Sequence, residues 1–96
     1  MQSRTRADRI DSALRTAFAP AVLRITDDSG KHVGHAGWRP EGETHYSVLV
    51  VADSFRGMNR VARSRAAHEV LAGEFAAGLH ALALTLRTPE EDAAAR

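Results

Sequence analysis

Thr44-His45-Tyr46-Ser47-Val48-Leu49-Val50-Val51-Ala52 is the stretch that decides how this chain folds. β-Branched and aromatic residues fill it. Toward its end it is apolar on both faces, as a strand flanked by neighbours requires. Such a strand needs partners, and the sequence supplies one on either side. Upstream, residues 21–26 form a short strand with Leu23 and Ile25 on one face, and Asp27-Asp28-Ser29-Gly30 turns the chain. Downstream, residues 80–86 alternate, with Leu82, Leu84 and Leu86 on one face and Ala81, Ala83 and Thr85 on the other.

Helices fill the rest. Over residues 4–18, Ile10, Leu14 and Phe18 recur at helical spacing beside Ala13 and Ala17. Arg6, Asp8, Arg9, Asp11 and Arg15 stay outside, and Ala19-Pro20 ends the helix. After a turn at Phe55-Arg56-Gly57, residues 59–77 predict a second helix. Its expected inward stripe is Val61, Ser64, His68, Leu71 and Phe75, with Val70 beside it. Gly78 stands where a left-handed cap belongs. Pro89 and the acidic, alanine-rich end read as a short trailing helix or a frayed tail over 89–96, outside an ordered core of about 4–88. The order is α-β-β-α-β. The first two strands can pair antiparallel, and the helix between the last two permits a right-handed parallel crossover. The expected architecture is a single α+β domain over 1–96, a three-stranded sheet with helices packed on one face.

Composition narrows the function classes. A chain of 96 residues, 44% apolar and 26% charged, holds one core and is neither disordered nor membrane-like. It has no cysteine, which excludes disulfide staples, a thiol nucleophile and any thiolate metal site built by this chain alone. No apolar run is long enough to span a bilayer, and no apolar stretch follows the polar N-terminus, so the expected location is the cytoplasm. The net charge of +1 argues against a strongly basic nucleic-acid binder. Even so, Arg56, Arg60, Arg63 and Arg65 cluster with no acid between Ser54 and Ala67.

The histidines are the chemically pointed residues. His68 on the second helix and His45 at the head of the central strand read as structural, packed or hydrogen-bonded. His32 and His35 differ, because residues 31–43 form a long loop carrying Gly34, Gly37, Pro40, Gly42 and the lone Trp38. His80 opens the last strand just after the cap glycine. A zinc site from His32, His35 and His80 is conceivable, yet nothing in the spacing demands it. There is no Gly-x-Ser-x-Gly nucleophile turn and no glycine-rich phosphate loop, so no enzyme is expected.

Taken together, Asp27-Asp28-Ser29-Gly30-Lys31-His32, Gly42-Glu43-Thr44-His45-Tyr46, Val50-Val51-Ala52-Asp53-Ser54-Phe55-Arg56-Gly57, Gly78-Leu79-His80-Ala81-Leu82-Ala83-Leu84 and Thr88-Pro89 resemble the BolA family, in order from Arg9 to Glu90. The resemblance implies a fold like a type II KH domain, and a protein that pairs with a monothiol glutaredoxin and glutathione to share a 2Fe–2S cluster. It places the family's C-terminal histidine on His80 and its loop ligand on His32, with His35 as the alternative. The cluster is then not held by this chain alone, and the free chain is expected as a monomer or weak homodimer. The family also implies an alternative, a DNA-binding transcriptional regulator using Arg56, Arg60, Arg63 and Arg65. Here the sequence departs from pattern. The KH Gly-x-x-Gly loop is missing, since Gly57 precedes Met58-Asn59-Arg60, and the family's Arg-His-Arg is Arg63-Ser64-Arg65. The loop's Trp38 could serve as an aromatic contact or fold back over the sheet.

Overall fold

A computed structural model of the chain describes residues 5–28 and 44–96. His32, His35 and Trp38 lie outside the described residues. Helix α1 (Arg6–Phe18) starts at Thr5 through a reciprocal capping box. Thr5 Oγ1 accepts from the Asp8 N–H at 3.1 Å, and Asp8 Oδ2 accepts from the Thr5 N–H at 3.2 Å. The helix ends at Ala19, in the left-handed region at φ 47°, just before Pro20.

Strand β1 (Val22–Asp27) runs antiparallel to β2 (His45–Val51), which runs parallel to β3 (Ala81–Arg87), so β2 is central as expected. Strands β1 and β3 each begin one residue later than the pattern predicts, with the same faces turned inward. The register sets Tyr46, Val48 and Val50 opposite Leu82, Leu84 and Leu86 on the core face. Ile10, Leu14 and Phe18 of α1 pack there with Phe55, Ala67, Leu71 and Leu79. Each large apolar side chain so buried contributes about 1.5–3 kcal/mol.

Between β2 and β3 the chain makes a single 3₁₀ turn (Asp53–Phe55) and helix α2 (Arg60–Val70). Asn59 caps α2 by accepting the Ala62 N–H at 2.8 Å. The expected stripe holds at its C-terminal end, where Leu71 is buried and Val70 and Phe75 pack on the core, and is out of phase before it. Val61 is 59% exposed and His68 is exposed, whereas Arg63, Ala67 and Leu71 face inward at i, i+4, i+8. Arginine can occupy the stripe because its head group finds acceptors beneath, while the small Ala67 takes little room against the core. The helix also breaks at Leu71, and α3 (Ala72–Ala76) follows as a separate turn.

Of the arginines expected outside on α1, Arg6 is buried and Arg9 is half-buried. Arg6 Nε donates to Glu74 Oε1 at 3.1 Å and its Nη2 to the Ala77 carbonyl at 2.8 Å, while Arg9 grips the same carboxylate. These bonds tie α1 to α3. Of the two readings of the C-terminal stretch, the structure shows the short helix, α4 (Pro89–Ala94). Thr88 and Glu91 form its capping box, and Asp92 is buried.

Three of these carboxylates titrate low. Arg9 and then Arg6 hold Glu74 down against the cost of its burial. Arg63, with the Thr88 N–H, brings Glu91 from 4.5 to about 2, and Arg96 leads the lowering of Asp92. A carboxylate lowered in the folded state stabilises it above the unfolded pKa, and this contribution disappears as pH falls through the folded value. The melting temperature is therefore expected to fall steadily between pH 4.5 and pH 2, a window set by Glu91. Glu91→Gln should flatten part of that slope. Thermal melts across this range check it, and identical slopes for wild type and variant would contradict the pairing.

Candidate functional site

His80 is placed by the turn before it. Gly78, at φ 118°, lets the chain close α3 with the Leu79 N–H bonded to the Glu74 carbonyl at 2.9 Å and the Gly78 N–H to the Phe75 carbonyl at 3.2 Å. This is a Schellman pairing, and Leu79 buries itself beyond it. The next residue emerges at the head of β3 with its imidazole exposed. Its backbone is fixed from the other side, because the buried Thr44 carbonyl accepts the His80 N–H at 2.8 Å and the Ala81 N–H at 3.0 Å.

Thr44 is also where the chain re-enters the sheet after residues 29–43. The point where it leaves is close by, since the Asp28 N–H donates to the His45 carbonyl at 2.7 Å and Ser47 Oγ donates to Asp28 Oδ2. The segment carrying His32 and His35 thus starts and finishes at the sheet end that presents His80. The two loop histidines themselves fall outside the described residues.

Sequence reasoning missed one neighbour. The ring of His45 stacks on that of His80, with centroids 5.5 Å apart and planes 14° from parallel, and His45 Nδ1 lies 2.9 Å from Thr44 Oγ1. A ligated metal lies close to the plane of its imidazole, and two stacked, nearly parallel planes do not meet at one ion. The pair as built is therefore a histidine braced by a second ring, not a chelate. The signal was available: parallel strands begin at the same sheet end, so a histidine at the head of each must be adjacent.

No group of three or more His, Cys, Asp or Glu converges to hold a metal among the described residues. With one exposed imidazole at this sheet end and no cysteine in the chain, these residues fit a partial ligand set completed from elsewhere. The Ser64–His68 pair is not arranged as a nucleophile and its base. Ser64 Oγ is 3.4 Å from His68 Nδ1, but that nitrogen sits 2.8 Å from the Ser64 carbonyl oxygen and the ring stacks on Phe75.

The four clustered arginines do not share a fate. Arg56 pairs with Asp53 at 2.9 Å and Glu90 at 2.5 Å, contacts that raise its pKa further. Arg63, offered by the sequence as a nucleic-acid contact, is 7% exposed and turned inward. Its guanidinium donates to the Met58 and Leu86 carbonyls at 3.0 and 3.1 Å and to Glu91 at 2.6 Å, over the Phe55 ring. Arg60 and Arg65 alone remain exposed with no ion pair among the described residues. Nor is any described helix long and apolar enough to cross a membrane.

This geometry has known counterparts. A family model described as BolA-like protein matches residues 14–91. The chain is 42% identical to the chloroplastic protein BOLA1 of Arabidopsis thaliana over 88 residues, covering 90% of this chain and 55% of that one. It is also 42% identical to an uncharacterized protein in the cobS 5'region of a Sinorhizobium species, over 88% of this chain and 91% of the relative. The chain thus spans about half the length of the first relative and nearly all of the second. The solved structure of BolA1 from Arabidopsis thaliana superposes with a TM-score of 0.81 at 35% identity, covering 93% of this chain and 98% of that one. The matching family model, the shared fold and this identity over most of the chain lead to one conclusion: the protein belongs to the BolA family.

Proposed function

We propose that this chain is a non-enzymatic adaptor that binds a monothiol glutaredoxin with glutathione and shares a 2Fe–2S cluster with it, in cluster trafficking or iron-status signalling. His80 is one ligand. The second comes from segment 29–43, with His32 favoured and His35 the alternative. The observation that carries this reading is the exposed His80 imidazole, anchored through its backbone to Thr44 at the sheet end where that segment begins and ends.

A cluster of this kind takes four ligands, usually thiolates. The partner's cysteine and glutathione supply two, and a chain without cysteine can offer only neutral imidazoles to the other iron. Replacing thiolates by histidines removes negative charge and raises the reduction potential. Since only unprotonated imidazole ligates, and its ordinary pKa is ~6.5, the shared cluster should be lost on acidification toward about pH 6.

The test is a titration of this protein into a cluster-loaded monothiol glutaredoxin with glutathione, followed by visible circular dichroism. A saturating spectral change that reverses near pH 6 is expected. No change at any ratio would sink cluster sharing with that partner, and a signal unaltered down to pH 5 would contradict histidine ligation. The alternative of a DNA-binding regulator has less behind it, because Arg56 is ion-paired and Arg63 is buried. Phosphate contacts by Arg60 and Arg65 would give a log–log salt slope of about −0.9 per phosphate, so a flat salt response removes that reading.

A further inference from the structure

The outer edge of β3 is a second feature, independent of the histidines. Ala81 donates its N–H toward β2, and Arg87 accepts from the Ala52 N–H at 2.9 Å, so the odd-numbered residues of β3 turn their backbone groups to β2. By alternation, Leu82, Leu84 and Leu86 turn theirs outward. Edge strands are normally blunted by charges, proline or bulges. Strand β3 reads ALALTLR and carries no charge before Arg87. Among the described residues no strand pairs with this edge.

The edge does not face open water. It forms one wall of a groove of 590 Å³ whose other walls are Arg60, Arg63 and Ser64 of α2 and Glu91 and Ala95 at the C-terminal end. Arg63 already closes the Leu86 carbonyl, which leaves the Leu84 N–H and carbonyl and the Leu86 N–H to pair. The charge is one-sided. Of the arginines that line the groove, Arg63 pairs with Glu91 and Arg87 with Asp92, which leaves Arg60 as the cation with no ion pair among the described residues. An edge strand beside a helix, with a free cation on the helix, is the arrangement that accepts an extended peptide as an added strand.

We infer that the groove between α2 and the outer edge of β3 docks an extended acidic segment of a partner protein. The segment adds as a strand to Leu84 and Leu86 and sets a carboxylate against Arg60. Backbone pairing supplies the register, and the Arg60 contact selects acidic over basic sequences. From His80 to Leu86 is about 20 Å of strand at ~3.3 Å per residue, so this docking and the histidine site can be occupied together.

The probe is a fluorescein-labelled peptide alternating threonine and glutamate, with a threonine–lysine peptide of equal length as control, measured by anisotropy on the full chain. Saturable binding of the acidic peptide alone is expected. Arg60→Glu should weaken it about tenfold, while Arg65→Glu, outside the groove, should change it less than about twofold. Hydrogen exchange of the Leu84 and Leu86 amides should slow in the complex, which bare charge attraction would not produce. The inference is overturned by any of three results: no saturable binding, equal losses from both substitutions, or protection absent from β3. Displacement of the peptide by single-stranded DNA with no change in those amides would also overturn it, and would reassign the groove to nucleic acid.

Discussion

Replacing His80 by alanine is expected to abolish the shared-cluster spectrum while leaving the fold intact. The imidazole is exposed, and the bonds that hold this position run from its backbone N–H to Thr44, which alanine keeps. Surface substitutions of this kind shift stability by no more than about 0.5 kcal/mol. Removing a ligand outright should cost at least about 100-fold in cluster affinity, more than the 10–100-fold usual for residues that merely orient a ligand. His45→Ala removes the stacked ring and its contact with Thr44 Oγ1, and should fall in that lesser range. Of His32→Ala and His35→Ala, one should match His80→Ala and the other wild type. Visible circular dichroism beside thermal melts checks the set. A His80→Ala protein that is folded and retains the full spectrum would remove His80 from the site.

Replacing Arg63 by alanine should have the largest effect on the fold. Its guanidinium bridges three elements, through Met58 before α2, Leu86 of β3 and Glu91 of α4, while its charge sits 5.7 Å from the Phe55 ring centre. Alanine leaves two carbonyls without these donors and a hole over Phe55, and each such loss costs about 1–3 kcal/mol. The sum, on the order of 3 kcal/mol, should lower the melting temperature by about 15 °C in a domain of this size. Arg63→Lys should recover little, because one ammonium cannot span all three acceptors. A variant melting within about 2 °C of wild type would show that Arg63 does not join these elements.

The same residue marks where the sequence stops being legible. Ile10, Leu14 and Phe18 announced α1, and Leu82, Leu84 and Leu86 announced β3, because apolar periodicity on an amphipathic element reports its buried face directly. On α2 that signal is weak. The helix buries Arg63 and Ala67 and exposes Val61, so a stripe drawn through its apolar residues takes the wrong phase. Arg6 was misplaced for the same reason, since its acceptors, Glu74 and the Ala77 carbonyl, are far along the chain. Polar burial depends on partners that periodicity cannot see. At the site, His80 was legible from its place after Gly78. Its neighbour His45 could have been placed beside it from the parallel pairing of β2 and β3, but the ring stacking itself follows only from the register.

The central claim is that an imidazole of this chain ligates the shared cluster, and nitrogen hyperfine coupling tests it most directly. The complex of cluster-loaded monothiol glutaredoxin, glutathione and this protein would be reduced and examined by pulsed electron paramagnetic resonance, once with natural-abundance protein and once with this chain labelled with ¹⁵N-histidine. The account predicts directly coordinated nitrogen that changes from ¹⁴N to ¹⁵N coupling with the label and disappears with His80→Ala. A reduced cluster whose spectrum lacks such coupling, or is unmoved by the label, would contradict it.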